Sequence, residues 1–134
     1  MFDEVRELDR LGVMMTERIK SYRDLIAWQK AMELVVLVYE ETRKLPDDER
    51  FGLTSQLRRC AVSVPSNIAE GWGRGSSRDN VRLLGIARGS LMELATQAEI
   101  CRRLGLSGDW DAMLRRVDEV RRILHGLIQS RQKA

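Results

Sequence analysis

Four stretches of this chain place apolar residues about every 3.5 positions, the spacing that gathers them on one stripe of an α-helix and turns that stripe toward a common core. The stretches fall at about 22–45, 53–72, 77–104 and 109–130. Only Pro46 and Pro65 interrupt the pattern, aromatics are 5%, and Leu, Val, Ile, Ala, Met and Arg dominate, which is the composition of helix formers. An all-α fold follows. At 134 residues one domain suffices, large enough to bury a core without a disulfide framework or structural metal.

In the first stretch Leu25, Trp28, Met32, Val35 and Tyr39 define the expected stripe, but Leu34 to Tyr39 is apolar all round. A helix hydrophobic on every side must be covered on every side. Leu34, Val36, Leu37 and Val38 are therefore expected to contact another subunit as well as the core. The helix should stop at Leu45, because a residue before proline resists helical geometry. Pro46-Asp47-Asp48-Glu49 suits a helical first turn, and Phe51-Gly52 separates it from the second helix.

The second stripe is Leu53, Leu57, Ala61, Val64, Ile68 and Trp72, with Pro65 inside it, so a kink is expected there. Gly71, Gly73 and Gly75 are expected to end this helix and reverse the chain, with Ser76 and Ser77 capping the third. The third stripe is Leu84, Ala87, Leu91, Leu94, Ala98 and Cys101, and Gly105 should stop it. Gly85 and Gly89 beside it suggest the close approach of a neighbour. Trp110, Met113, Val117, Val120, Leu124 and Leu127 mark the fourth. Short loops between long helices imply an antiparallel up-down-up-down bundle over 21–131. Residues 1–20 form an extension with weak periodicity, expected to be frayed or loosely docked, in which Met14 or Met15 is an alternative start to Met1.

The net charge of +3 is unevenly placed: residues 1–49 carry 8 basic and 12 acidic side chains, residues 50–134 carry 15 and 8. The excess is almost all arginine, which suits a polyanionic partner or contact between unlike halves of neighbouring subunits. Cys60 and Cys101 stand apart, with no C-x-x-C spacing, and read as small buried hydrophobes of a reducing compartment. No apolar run reaches the roughly 18 residues of a membrane span, and a cytoplasmic location is expected.

Catalysis needs convergent titratable groups, and few are available. His125 is the only histidine and falls off the fourth stripe. Glu33 and Glu93 sit in helix interiors without the Glu-x-x-His companions of di-iron bundles. Gly71-x-Gly73-x-Gly75 lacks the lysine of a phosphate-binding loop and the preceding strand of a dinucleotide fingerprint. No enzyme activity, metal, cofactor or small-molecule substrate is expected. A milder reading survives: Arg74, Arg78 and Arg82 beside the first amides of the third helix suit a backbone phosphate, and Arg58-Arg59 extends the basic surface.

YRDLIAWQKA at 22–31, ETRKLPDDERFGLTSQLRRCAVSVPSNIAEGWGR at 41–74 and IARGSLMEL at 86–94 resemble the bacterial four helix bundle protein family, some of whose members are encoded in intervening sequences of large-subunit ribosomal RNA genes. The accessory variability protein of diversity-generating retroelements is similar in fold. The resemblance, over roughly 20–130, implies a left-handed bundle assembling as a pentameric barrel, with a basic surface suspected of binding RNA or DNA and no associated enzyme activity. It assigns Arg58, Arg59 and Arg74 to the family's basic motif, and Pro65, Ser66, Asn67, Glu70 and Gly71 to a structural kink and turn. The expected function is a homo-oligomeric bundle that binds nucleic-acid backbone. The alternative is a protein scaffold, for example the partner of a reverse transcriptase, without direct nucleic-acid binding.

Overall fold

A computed structural model of the chain describes residues 19–133, and these contain four α-helices and no strand. The helices are α1 (Ile26–Thr42), α2 (Leu53–Trp72), α3 (Ser77–Arg103) and α4 (Trp110–Lys133). Each packs against its neighbours in the chain, and α1 closes the set against α4. Residues 1–18, with most of the expected extension and the alternative starts Met14 and Met15, lie outside the described residues.

The first helix differs from expectation at both ends. Tyr22–Asp24 is a separate 3₁₀ turn closed by a capping box, in which Ser21 Oγ accepts the Arg23 amide and the Asp24 carboxylate accepts the Lys20 and Ser21 amides. Leu25 is extended, so α1 starts only at Ile26. At the other end Thr42 Oγ1 donates to Val38 O at 2.7 Å, and the Lys44 and Leu45 amides wind on in 3₁₀-type bonds to Glu41 O and Thr42 O before Pro46.

The phase of α1 also differs. Its buried face is Ala27, Ala31, Leu34 and Val38, while Trp28, Val35 and Tyr39 are half-buried and Met32 is exposed. Two alanines add little to a hydrophobic pattern but let the helix axis come close, which decides the rotation. Leu34 and Val38 are therefore fully buried in this subunit's own core and are unavailable to a second one. Val36, 56% exposed, and half-buried Leu37 are the members of that set that face outward.

The other three stripes fold as their spacing predicts. Leu57, Ala61, Val64 and Ile68 of α2 meet all the expected positions of α3 and α4, with Leu53 and Trp72 packed at the margins. Helix α2 runs unbroken through Pro65, and Ser66 Oγ and Asn67 Nδ2 donate back to Val62 O and Ser63 O on the same stretch. Helix α3 begins on the Ser76 cap and ends with Gly105 at φ +70°, where the Leu106 amide donates to Cys101 O and the Gly105 amide to Arg102 O. Helix α4 starts on Asp109, whose carboxylate accepts the Ala112 amide.

The glycines between α2 and α3 act otherwise than expected. Gly71 does not end α2 but lies buried within it, and a Cβ there would sit 3.3 Å from Leu83 Cβ and 3.4 Å from Asn80 O. It is a point of close approach between α2 and α3. Gly73 caps α2 in ordinary right-handed geometry, and neither it nor Gly75 has a positive φ. Around Gly85 and Gly89, by contrast, there is open space: among the described residues, a Cβ at either meets no neighbouring atom outside its own helix backbone within 4 Å.

Candidate nucleic-acid interface

Along the seam of α2 and α3, Gln56 faces Gln97, the Cys60 thiol donates to Glu93 Oε2, and the Ser63 and Ser90 hydroxyls bond at 2.8 Å. Across α1 and α4, Glu33 pairs with Arg116 at 3.1 Å, and the Glu41 carboxylate accepts the Asp109 amide. Glu33 and Glu93 thus face different neighbours. Among the described residues no group of three or more His, Cys, Asp or Glu side chains could hold a metal ion, and no helix is long and apolar enough to cross a membrane.

The five singled-out arginines fall into two groups rather than one surface. Arg58 and Arg59 lie in the second turn of α2, while Arg74, Arg78 and Arg82 surround the turn into α3, about 20 Å further along the helix axis at 1.5 Å per residue. Their states also differ. Arg58 is half-buried, donates from Nε to Thr42 Oγ1 at 2.9 Å and lies 4.5 Å above the Tyr39 ring centroid. It ties α2 to α1. Arg59, one position on and so about 100° around the helix, is exposed and makes no ion pair among the described residues.

At the second group Arg74 bonds Glu70 at 3.0 Å and Arg82 reaches Asp79 at 3.7 Å, both within one helical turn and exposed. Such pairs exchange readily with solvent and leave the cations available to an anion. Arg78 is exposed beside them. Of the other arginine doublets, Arg102 and Arg103 are held by Glu99 and Arg121 and Arg122 by Asp118, acids of their own helices, while Arg116 of the Arg115-Arg116 doublet pairs with Glu33 of α1.

The Arg58–Arg59 group opens onto a groove of about 510 Å³ between α1 and α2. Tyr39, Arg50, Phe51, Thr54, Ser55 and Val62 line it together with the two arginines, and no carboxylate is among them. Phe51 is 87% exposed, with the Arg50 guanidinium 5.2 Å from its ring centroid. The Glu49 carboxylate accepts the Leu53 amide, and this local cap fixes the turn that presents the ring outward. Sequence reasoning passed over these residues, taking Phe51-Gly52 only as a helix break. The available signal was an aromatic side chain next to arginine on a loop, outside every apolar stripe.

The two thiols sit in different surroundings. Burial, and then the charge of Glu49, pushes Cys101 up to about 11; burial and the Glu93 hydrogen bond raise Cys60. A raised pKa leaves less of each thiol as the reactive thiolate.

None of the curated proteins matches this chain. It is similar in fold to the crystal structure of a protein with unknown function from the S23 ribosomal protein family of Bacteroides thetaiotaomicron. That likeness has a TM-score of 0.71 and 20% identity, and covers 78% of this chain and 96% of that one. A family model, 23S rRNA-intervening sequence protein, matches residues 23–126, a span that takes in α1, α2 and α3 whole and most of α4. On that match, the chain belongs to the 23S rRNA-intervening sequence protein family.

Proposed function

We propose that this protein is a non-enzymatic, cytoplasmic, homo-oligomeric bundle that binds the backbone of RNA or DNA through exposed arginines. The observation that carries the proposal is a groove lined by three arginines and no carboxylate, in which Arg59 is exposed and has no ion pair among the described residues. Phosphate is the ligand whose charge such a groove complements. The family's association with 23S rRNA intervening sequences accords with an RNA partner. Arg74, Arg78 and Arg82 provide a second contact region at the opposite end of α2.

The bundle in this reading is up-down-up-down and left-handed, with a bend at Pro65, and assembles as a pentamer. The pairings Gln56–Gln97, Cys60–Glu93 and Ser63–Ser90, in which one number rises as the other falls, support antiparallel order for α2 and α3. Assembly is supported by apolar side chains left outside the core on α1, Met32 at 40% exposure and Val36.

The test is nucleic-acid affinity as a function of salt. Backbone binding predicts an affinity that falls steeply between about 50 and 200 mM salt and weakens in Arg59→Ala. A flat salt response overturns it. The scaffold reading is favoured by Glu40, an exposed acid on the α1 surface whose charge complements an arginine of another subunit. Under that reading arginine variants lower the native mass, measured by light scattering, and no nucleic acid shifts in gels.

A further inference from the structure

We propose that the groove between α1 and α2 takes a single strand, with one unpaired nucleobase stacked on Phe51. This inference rests on the backbone-binding reading above and narrows its ligand from nucleic acid in general to an unpaired strand. A large aromatic ring left 87% exposed on the Glu49-capped turn buries little apolar surface for the fold. The Arg50 guanidinium lies 5.2 Å from the ring centroid on one side, and the high exposure leaves the other face open. The second aromatic of the groove, Tyr39, is already covered by Arg58. One ring is therefore free to stack, and Arg59 beside it is free to meet the adjoining phosphate.

An aromatic platform within a basic groove is the arrangement by which proteins hold single strands, because every base has a π-face and every nucleotide a charge. A duplex presents its phosphates to arginine but keeps its bases stacked inside, beyond the reach of Phe51. The chemistry selects accessible bases, as in loops and ends of RNA, rather than paired ones.

The experiment is fluorescence anisotropy with the full chain and three labelled probes: a single-stranded RNA of about ten nucleotides, its duplex, and an abasic strand of equal length. The wild type is expected to bind the single strand most tightly. Phe51→Ala is expected to weaken that complex by about five- to hundredfold while leaving the duplex, the abasic strand and the salt dependence unchanged; Phe51→Trp restores it. Equal affinity for all three probes, insensitive to Phe51→Ala but weakened by Arg59→Ala, overturns the stacking and leaves backbone binding standing. No binding of any probe overturns both. A fall in native mass on Phe51→Ala, with binding unchanged, makes a second copy of the chain the occupant and overturns the inference.

Discussion

The Glu41 carboxylate, in the last turn of α1, accepts the backbone N–H of Asp109, the residue that caps α4. One side chain thus satisfies an amide at the positive end of a helix distant from its own in the chain. Lys44 holds the second side of the arrangement, donating to the same carboxylate oxygen at 2.9 Å. The bond joins residues 68 positions apart, so it reports on tertiary closure rather than on helix formation.

Glu41→Ala is expected to destabilise the bundle by about 1–3 kcal/mol, because the Asp109 amide loses its partner in a partly buried place. Glu41→Gln keeps an acceptor and loses only the Lys44 charge, so its cost is smaller. Urea unfolding at neutral pH ranks the two. The hydrogen bonds from Lys44 and then Asp109 hold the Glu41 carboxyl below its ordinary 4.5. A lowered folded pKa contributes stability above the unfolded value that is lost as pH falls through the folded one. The gap between wild type and Glu41→Gln should therefore close as pH is taken below 4.5.

Arg58 and Arg59 are expected to separate stability from binding. Arg58→Ala removes the Thr42 hydrogen bond and the Tyr39 contact and should cost about 1–2 kcal/mol in unfolding. Lysine at position 58 should restore little, since it lacks the planar group that reaches both partners. Arg59→Ala should leave the unfolding midpoint within about 0.5 kcal/mol of wild type while reducing the salt slope of nucleic-acid binding by about 1.

Glycine-to-alanine changes should have opposite signs along the α2–α3 pair. Gly85→Ala and Gly89→Ala fill open space in a helix and should each stabilise by about 0.5–1 kcal/mol. Gly71→Ala pushes a methyl group against Leu83 and Asn80 and should destabilise by about 1–3 kcal/mol. Thermal unfolding distinguishes the two groups. If Gly85→Ala or Gly89→Ala instead lowers the native mass, that face of α3 is a subunit contact.

Glu99 should titrate far below an ordinary carboxylate. The side-chain hydrogen bonds of Arg102 and then Arg103 bring it from 4.5 to about 2. In the double variant Arg102→Ala, Arg103→Ala the carboxyl should return to the usual range, as followed by NMR titration of the side-chain carbon.

Cys101, buried and raised to about 11, should resist alkylation at neutral pH until the chain unfolds, whereas half-buried Cys60 should react slowly in the native state. Mass spectrometry after iodoacetamide treatment, with and without urea, checks the order.

The sequence by itself determined the parts of this protein that depend on neighbours in the chain. The stripes of α2, α3 and α4, the Ser76 cap and the Gly105 stop were all legible, because helical period and capping chemistry are local. Tertiary structure decided the rest. Residues 34–39 are apolar on every side and cannot set the rotation of α1, which was settled by how closely Ala27 and Ala31 let it approach the core. A glycine motif reads as a turn until a second backbone is brought against Gly71. Arg58 and Arg59 are identical in the sequence, yet one faces Thr42 and Tyr39 and the other faces solvent, a difference made by helix packing alone. For the same reason the groove around Phe51 was not legible: its walls come from two helices and the turn between them, and only their packing makes them one surface.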